Sequence, residues 1–212
     1  GEFFKRSVEL AEKYKKPGQK LLYTIQTNGT KIDEAWAAFF KENNFLVGLS
    51  LDGPKELHDV YRVNKGGQGS FDQVLRGWEI LKNHDVDVNI LCTVNAANGD
   101  YPLDVYHFFR DELKAEYMQF IPIVERVTAE MLALANQGWS EHRGTERPLY
   151  TQNGDLVTER SVKPDQFGRF LIAIFDEWIK SDVGKVFVQS FDVALANWLG
   201  QPSLCIFQRT CG

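Results

Sequence analysis

Cysteine is scarce in this 212-residue sequence: Cys92, Cys205 and Cys211 are the only three. Three thiols are too few to staple a small, loop-rich fold, so the chain must be held by a core of its own. Long apolar runs are missing too. None approaches the roughly 20 residues needed to cross a bilayer. The opening stretch, GEFFKRSVELAEKY, has no signal-peptide core and reads instead as an amphipathic helix. Basic charge is also in short supply. Lys and Arg number 24 against 29 Asp and Glu, a net charge of −5. That balance argues against a nucleic-acid partner, which needs a basic patch to release counterions. The histidines at 58, 84, 107 and 142 show no metal-site spacing. The stretch Lys65-Gly66-Gly67-Gln68-Gly69 is not a Walker loop, because no Gly-Lys-Ser/Thr follows it.

What is present is 43% hydrophobic residues, enough to bury a core and exclude disorder over most of the chain. The length fits one large domain, or one domain with an extension. Short apolar runs alternate with stretches of helical period. The runs are Leu21 to Thr27, Phe45 to Leu51, Val86 to Val94 and Tyr117 to Ile123, with Pro122 expected at the end of the last. Between them, Ile32, Trp36, Phe39 and Phe40 share one helix face, with Thr30 as the expected N-cap. Val74, Leu75, Trp78 and Leu81 share another. Asp100 is the expected cap of a helix that has Pro102 in its first turn. Residues 127–163 break the rhythm with polar and turn-forming residues, a stretch long for a loop. A strong helical seam then runs from Phe167 to Ile179, followed by a short strand at Val186 to Val188 and a last helix. Nearly continuous apolar strands separated by helices imply parallel strands joined by right-handed crossovers, in an open sheet or a β/α barrel.

In such folds ligands bind at the carboxyl ends of the strands. Those ends read Gln26-Thr27-Asn28-Gly29, Ser50-Leu51-Asp52-Gly53, Thr93-Val94-Asn95 and Gln119 to Arg126. Asn28-Gly29 reads locally as a strand-to-helix turn. Ser50, if buried, needs a partner for its hydroxyl, either a ligand or a neighbouring backbone group. Arg62 either holds a carboxylate through parallel hydrogen bonds or forms a surface pair with Asp59 or Glu56. Glu125-Arg126 is either a structural ion pair or part of a substrate wall. Cys92, in an apolar run, is read as a small buried hydrophobe.

Together, TIQTNGT, FLVGLSLDGPKELHDVYRVNKGGQGSFDQVLRGWEIL and QFIPIVER form an ordered set of motifs. In order and spacing the set resembles the radical S-adenosylmethionine (SAM) enzymes of the anaerobic sulfatase-maturase type. The resemblance is strong over residues 20–126 and weaker over FDEWIKSDVGKVFVQSFDVALANWLG and CIFQRTCG. It implies a partial (β/α)6 TIM-like barrel that uses S-adenosyl-L-methionine and [4Fe-4S] clusters. In this family a 5′-deoxyadenosyl radical abstracts hydrogen from the β-carbon of a Cys or Ser in a sulfatase polypeptide, which becomes Cα-formylglycine. A flavodoxin or ferredoxin as reductant and a cytoplasmic location are implied as well.

Position by position, the resemblance makes Ser50, Arg62, Ile123 and Asn28 cofactor-binding residues. Cys205 and Cys211 become ligands of an auxiliary cluster in a SPASM-like extension. No CxxxCxxC motif is present, and the family's GGEP element is missing as well. The expectation is therefore a central fragment holding strands three to six plus the start of the extension, inactive alone. Residues 1–185 would be barrel, with 127–163 as an insertion, and 186–212 the start of the extension. The alternatives are a radical SAM peptide-modifying enzyme with another substrate and a non-catalytic partner-binding domain on a degenerate barrel. An exposed edge at the first strand implies pairing between copies of the fragment.

Overall fold

Parallel strands alternate with helices along most of the chain. The computed structural model describes residues 1–138 and 148–201. It opens with α1 (Glu2–Tyr14), β1 (Tyr23–Thr27), α2 (Glu34–Glu42) and β2 (Phe45–Ser50). Next come α3 (Lys55–His58), α4 (Phe71–Asn83) and β3 (Asp87–Val94). α5 (Pro102–His107) runs into a π-helical turn (Phe108–Glu112), followed by β4 (Tyr117–Pro122). β5 (Arg126–Val127), α6 (Leu132–Asn136), α7 (Pro148–Thr151) and β6 (Leu156–Val157) come next. The described chain closes with α8 (Pro164–Ser181), β7 (Phe187–Val188) and α9 (Gln189–Trp198). The main sheet has five strands in the order β1-β2-β3-β4-β7. The β1–β2, β3–β4 and β4–β7 registers are all parallel, the α/β arrangement expected from the alternation. Among the described residues no helix is long and apolar enough to cross a membrane.

The chain divides into two compact units. The first comprises residues 1–49 and 73–89. Its core is Phe40, Phe45, Val47, Leu49, Val74, Trp78 and Leu81, all buried. Trp36, Phe39, Phe40 and Phe45 form a continuous aromatic cluster, and Tyr23 stacks on Phe45, its register partner in β2, at 5.2 Å. The cap of α2 differs from expectation. Asp33, not Thr30, accepts the Trp36 N–H at 2.8 Å. Thr30 is drawn into the preceding turn, where its N–H and hydroxyl both donate to Asn28 Oδ1. α4 comes very close to this turn. A Cβ on Gly77 would stand 2.5 Å from the Gly29 carbonyl oxygen, so only glycine fits there.

The second unit comprises residues 50–72 and 90–212. Tyr106, Phe109, Met118, Phe170, Ile174 and Trp178 fill its interior. The Trp178 indole donates to the Val186 carbonyl at 2.7 Å, fixing α8 to the start of β7. α5 is capped by Tyr101 with Pro102 at its first position, not by Asp100 as expected. The Tyr101 N–H closes a turn onto the Asn98 carbonyl, which leaves Asp100 outside the helix. Cys92 is fully buried in the middle of β3, as read from its apolar run, and burial pushes its thiol well above the usual range. The polar 127–163 stretch holds more order than its composition implied. β5 and β6 pair antiparallel, and Val127, Ala135 and Leu149 form a small core of their own with Leu132 against it.

Candidate functional site

β2 ends at Ser50, and the chain beyond it turns into a closed polar circuit. The Leu51 N–H still bonds the Leu91 carbonyl of β3 at 3.2 Å, which carries the sheet one residue further. Asp52 then turns inward and is only 3% exposed. Its carboxylate accepts Arg62 Nε at 2.5 Å on Oδ2 and Arg62 Nη2 at 3.0 Å on Oδ1. Oδ1 also accepts the Thr93 N–H at 2.8 Å, and the Thr93 hydroxyl accepts Arg62 Nη2 at 3.1 Å. The Asp52 carbonyl accepts Asn98 Nδ2 at 2.9 Å.

The other half of the circuit runs through His58. The Asp52 N–H donates to His58 Nδ1 at 3.2 Å, so the ring proton of the neutral imidazole sits on Nε2. Nε2 faces the Ser70 hydroxyl at 3.1 Å, and that hydroxyl donates to the Arg62 carbonyl at 2.8 Å. Burial lowers the His58 pKa from 6.5 to about 4, with Arg62 adding to the effect and the Asp52 and Asp59 carboxylates opposing it. Gly53, at φ +120, lets the chain reverse beneath Val105.

This circuit forms one wall of a cavity of about 260 Å3 lined by Asp52, Tyr61, Arg62, Thr93, Asn95, Ile123, Glu125 and Arg160. β3 supplies Thr93, the turn after it supplies Asn95, and Ile123 directly follows β4. The lining also holds a second ion pair. Buried Glu125 accepts Arg160 Nη2 at 2.7 Å and the Thr158 hydroxyl at 2.6 Å. Arg126 instead turns its guanidinium to the Gly154 carbonyl. Glu125 thus pairs with Arg160, 35 residues along the chain.

Of the residues picked from sequence, Arg62 and Ile123 line this one cavity. Arg62 pairs with Asp52 rather than with Asp59 or Glu56, while Asp59 caps α4 by accepting the Phe71 N–H. Ser50 is buried two residues before Asp52, and its hydroxyl makes no hydrogen bond to a described residue. It is not among the lining residues of the cavity. Asn28 belongs to the first unit, where its side chain shapes the turn after β1. Cys205 and Cys211 lie outside the described residues. Asp52, Thr93 and Arg160 were not singled out as binding residues. Asp52 and Thr93 were legible as strand-end positions, but nothing in the sequence signals Arg160.

The lining suits part of a nucleoside-linked amino acid. Ile123 and Tyr61 offer apolar and aromatic surface, and Arg62 Nη1 has no hydrogen bond to a described residue. An iron–sulfur cluster fits less well. Among the described residues no group of three or more His, Cys, Asp or Glu side chains could hold a metal ion.

The chain is similar to known proteins over nearly all of its length. The family model described as Radical SAM superfamily matches residues 2–109. A serine-type anaerobic sulfatase-maturating enzyme of Bacteroides thetaiotaomicron is 46% identical over 211 residues, which cover 99% of this chain and 48% of that protein. A cysteine-type enzyme of Clostridium perfringens is 34% identical over 213 residues, covering 99% and 51%. The chain thus spans about half the length of the curated relatives it matches. A solved structure described as native anSMEcpe with bound AdoMet superposes with a TM-score of 0.76 at 33% identity, covering 96% of this chain and 50% of that one. With its parallel α/β sheet, its motif order and a family match across half its length, the chain belongs to the radical SAM superfamily.

Proposed function

We propose that this chain is the central part of an anaerobic sulfatase-maturating enzyme, which oxidises a Cys or Ser of a sulfatase to Cα-formylglycine. The observation that carries this reading is the cavity at the strand ends. It gathers Arg62 and Ile123, two residues chosen from the motifs alone, around a donor set suited to a zwitterionic nucleoside. The identity of 46% to a serine-type relative, spread over 99% of this chain, supports the same activity. In this reading S-adenosylmethionine, with a [4Fe-4S] cluster, supplies the radical chemistry. The chain's own residues bind and orient it. Arg62 Nη1 meets the carboxylate or a ribose hydroxyl, Ser50 gives a further hydroxyl, the Ile123 backbone borders the base, and Asn28 is a further cofactor-binding residue. Closing the cavity against water protects a radical from side reactions.

A sulfatase polypeptide is the substrate, a flavodoxin or ferredoxin the electron donor, and the cytoplasm the location. Cys205 and Cys211 are proposed as ligands of an auxiliary cluster. The pairing of β7 with β4 supports keeping residues 187–188 with the barrel, so the extension would begin after α9. The test is to incubate the reduced full-length protein with S-adenosylmethionine and a peptide bearing Cys/Ser-x-Pro-x-Arg. Mass spectrometry should show conversion of the Cys or Ser to formylglycine. A peptide left unchanged while S-adenosylmethionine is cleaved would point to another peptide substrate.

A further inference from the structure

We propose that Asp52 is a positioning residue that sets the guanidinium of Arg62 before any ligand arrives. The proposal rests on the reading of Arg62 as a contact for S-adenosylmethionine and adds to it how that contact is held. A free arginine side chain loses rotamer entropy when it is fixed. Here that ordering is already complete. Two parallel hydrogen bonds from Nε and Nη2 to Asp52 fix the plane of the guanidinium, and the Thr93 hydroxyl fixes its edge. Nη1 is the nitrogen left to a ligand.

Asp52 is itself immobilised from three sides. The Thr93 N–H holds its carboxylate, Asn98 holds its carbonyl, and His58 holds its N–H. His58 and Ser70 then lead back to the Arg62 carbonyl, so side chain and backbone of the arginine are fixed by one ring of contacts. The charge arithmetic agrees. Asp52 matches Arg62, and Glu125 matches Arg160 in the same lining. The cavity therefore presents directed donors rather than an unpaired charge, which suits a zwitterionic moiety with both signs in one small group.

Asp52→Asn isolates the effect. Asparagine keeps Oδ1, the acceptor for the Thr93 N–H and for Nη2, so the tie to β3 survives. It replaces Oδ2 with an NH2 group facing Arg62 Nε–H, which turns the guanidinium away. Equilibrium binding of S-adenosylmethionine to the full-length protein is measured for wild type, Arg62→Ala, Asp52→Asn and Thr93→Val, together with thermal melting of each. The expected result is about a tenfold weaker Kd for Asp52→Asn, the loss expected of one charge-assisted hydrogen bond. Thr93→Val should show a smaller loss, and KM for S-adenosylmethionine should rise while kcat at saturation is retained. If Arg62→Ala binds as tightly as wild type, the cofactor reading of Arg62 fails and the proposal with it. If Arg62→Ala loses binding while Asp52→Asn and Thr93→Val keep it, the cofactor reading stands and the positioning role is overturned. Should Asp52→Asn melt too low to assay, Thr93→Val decides alone: unchanged binding overturns the proposal and weakened binding supports it.

Discussion

His58 carries its structural role without charge. Burial lowers its pKa to about 4 from the ordinary 6.5. As pH falls below 6.5 the unfolded chain takes up this proton first, while the folded chain resists until about pH 4. Stability from this residue is therefore complete above pH 6.5 and is lost progressively as pH falls to about 4, by on the order of 3 kcal/mol. Chemical denaturation across that window should show a steeper decline for wild type than for His58→Gln. Parallel declines would contradict the assignment. How much of the site was legible varies residue by residue. Arg62 and Ile123 could be read because each belongs to a motif at a strand end. The pairing of Arg62 could not, because Asp59 and Glu56 are both nearer in sequence than Asp52, which pairs with it across the turn at Gly53. Arg160 had no signal at all, since its partner Glu125 lies 35 residues away along the chain.

At the scale of elements, apolar periodicity located the strands and the long helices but not their ends. The caps of α2 and α5 each fell on a residue other than the one expected, because neighbouring turns claimed Thr30 and excluded Asp100. Local side-chain competition of this kind leaves no trace in a hydrophobic pattern. Two substitutions probe the packing. Gly77→Ala forces a methyl group against the Gly29 carbonyl, and should cost about 1–3 kcal/mol despite alanine's better helix propensity. A neutral or stabilising result in urea denaturation would show that α4 can shift outward. Trp178→Ala empties the centre of the α8 interface and removes the bond to Val186, so a loss of about 3–5 kcal/mol is expected. Ile172→Ala, on the same helix but 62% exposed, should stay within about 0.5 kcal/mol and serves as the control.

For the whole molecule, the alternation of strands and helices gave the parallel α/β class, while the 127–163 stretch was harder to read. Its small core rests on Val127, Ala135 and Leu149, apolar residues too widely spaced to register as a periodic element. Among the described residues β1 pairs only with β2, and Leu22 beside it is 77% exposed. The isolated chain should therefore self-associate through that edge. Sedimentation should detect association that rises with concentration, and a monomer at high concentration would refute it. The burial of Cys92 has a use of its own. Its sulfur is shielded by the sheet and held as the unreactive thiol, so alkylating agents can reach it only when β3 comes apart. The rate at which Cys92 is labelled, followed by peptide mapping, would thus act as a built-in clock for opening of the sheet interior.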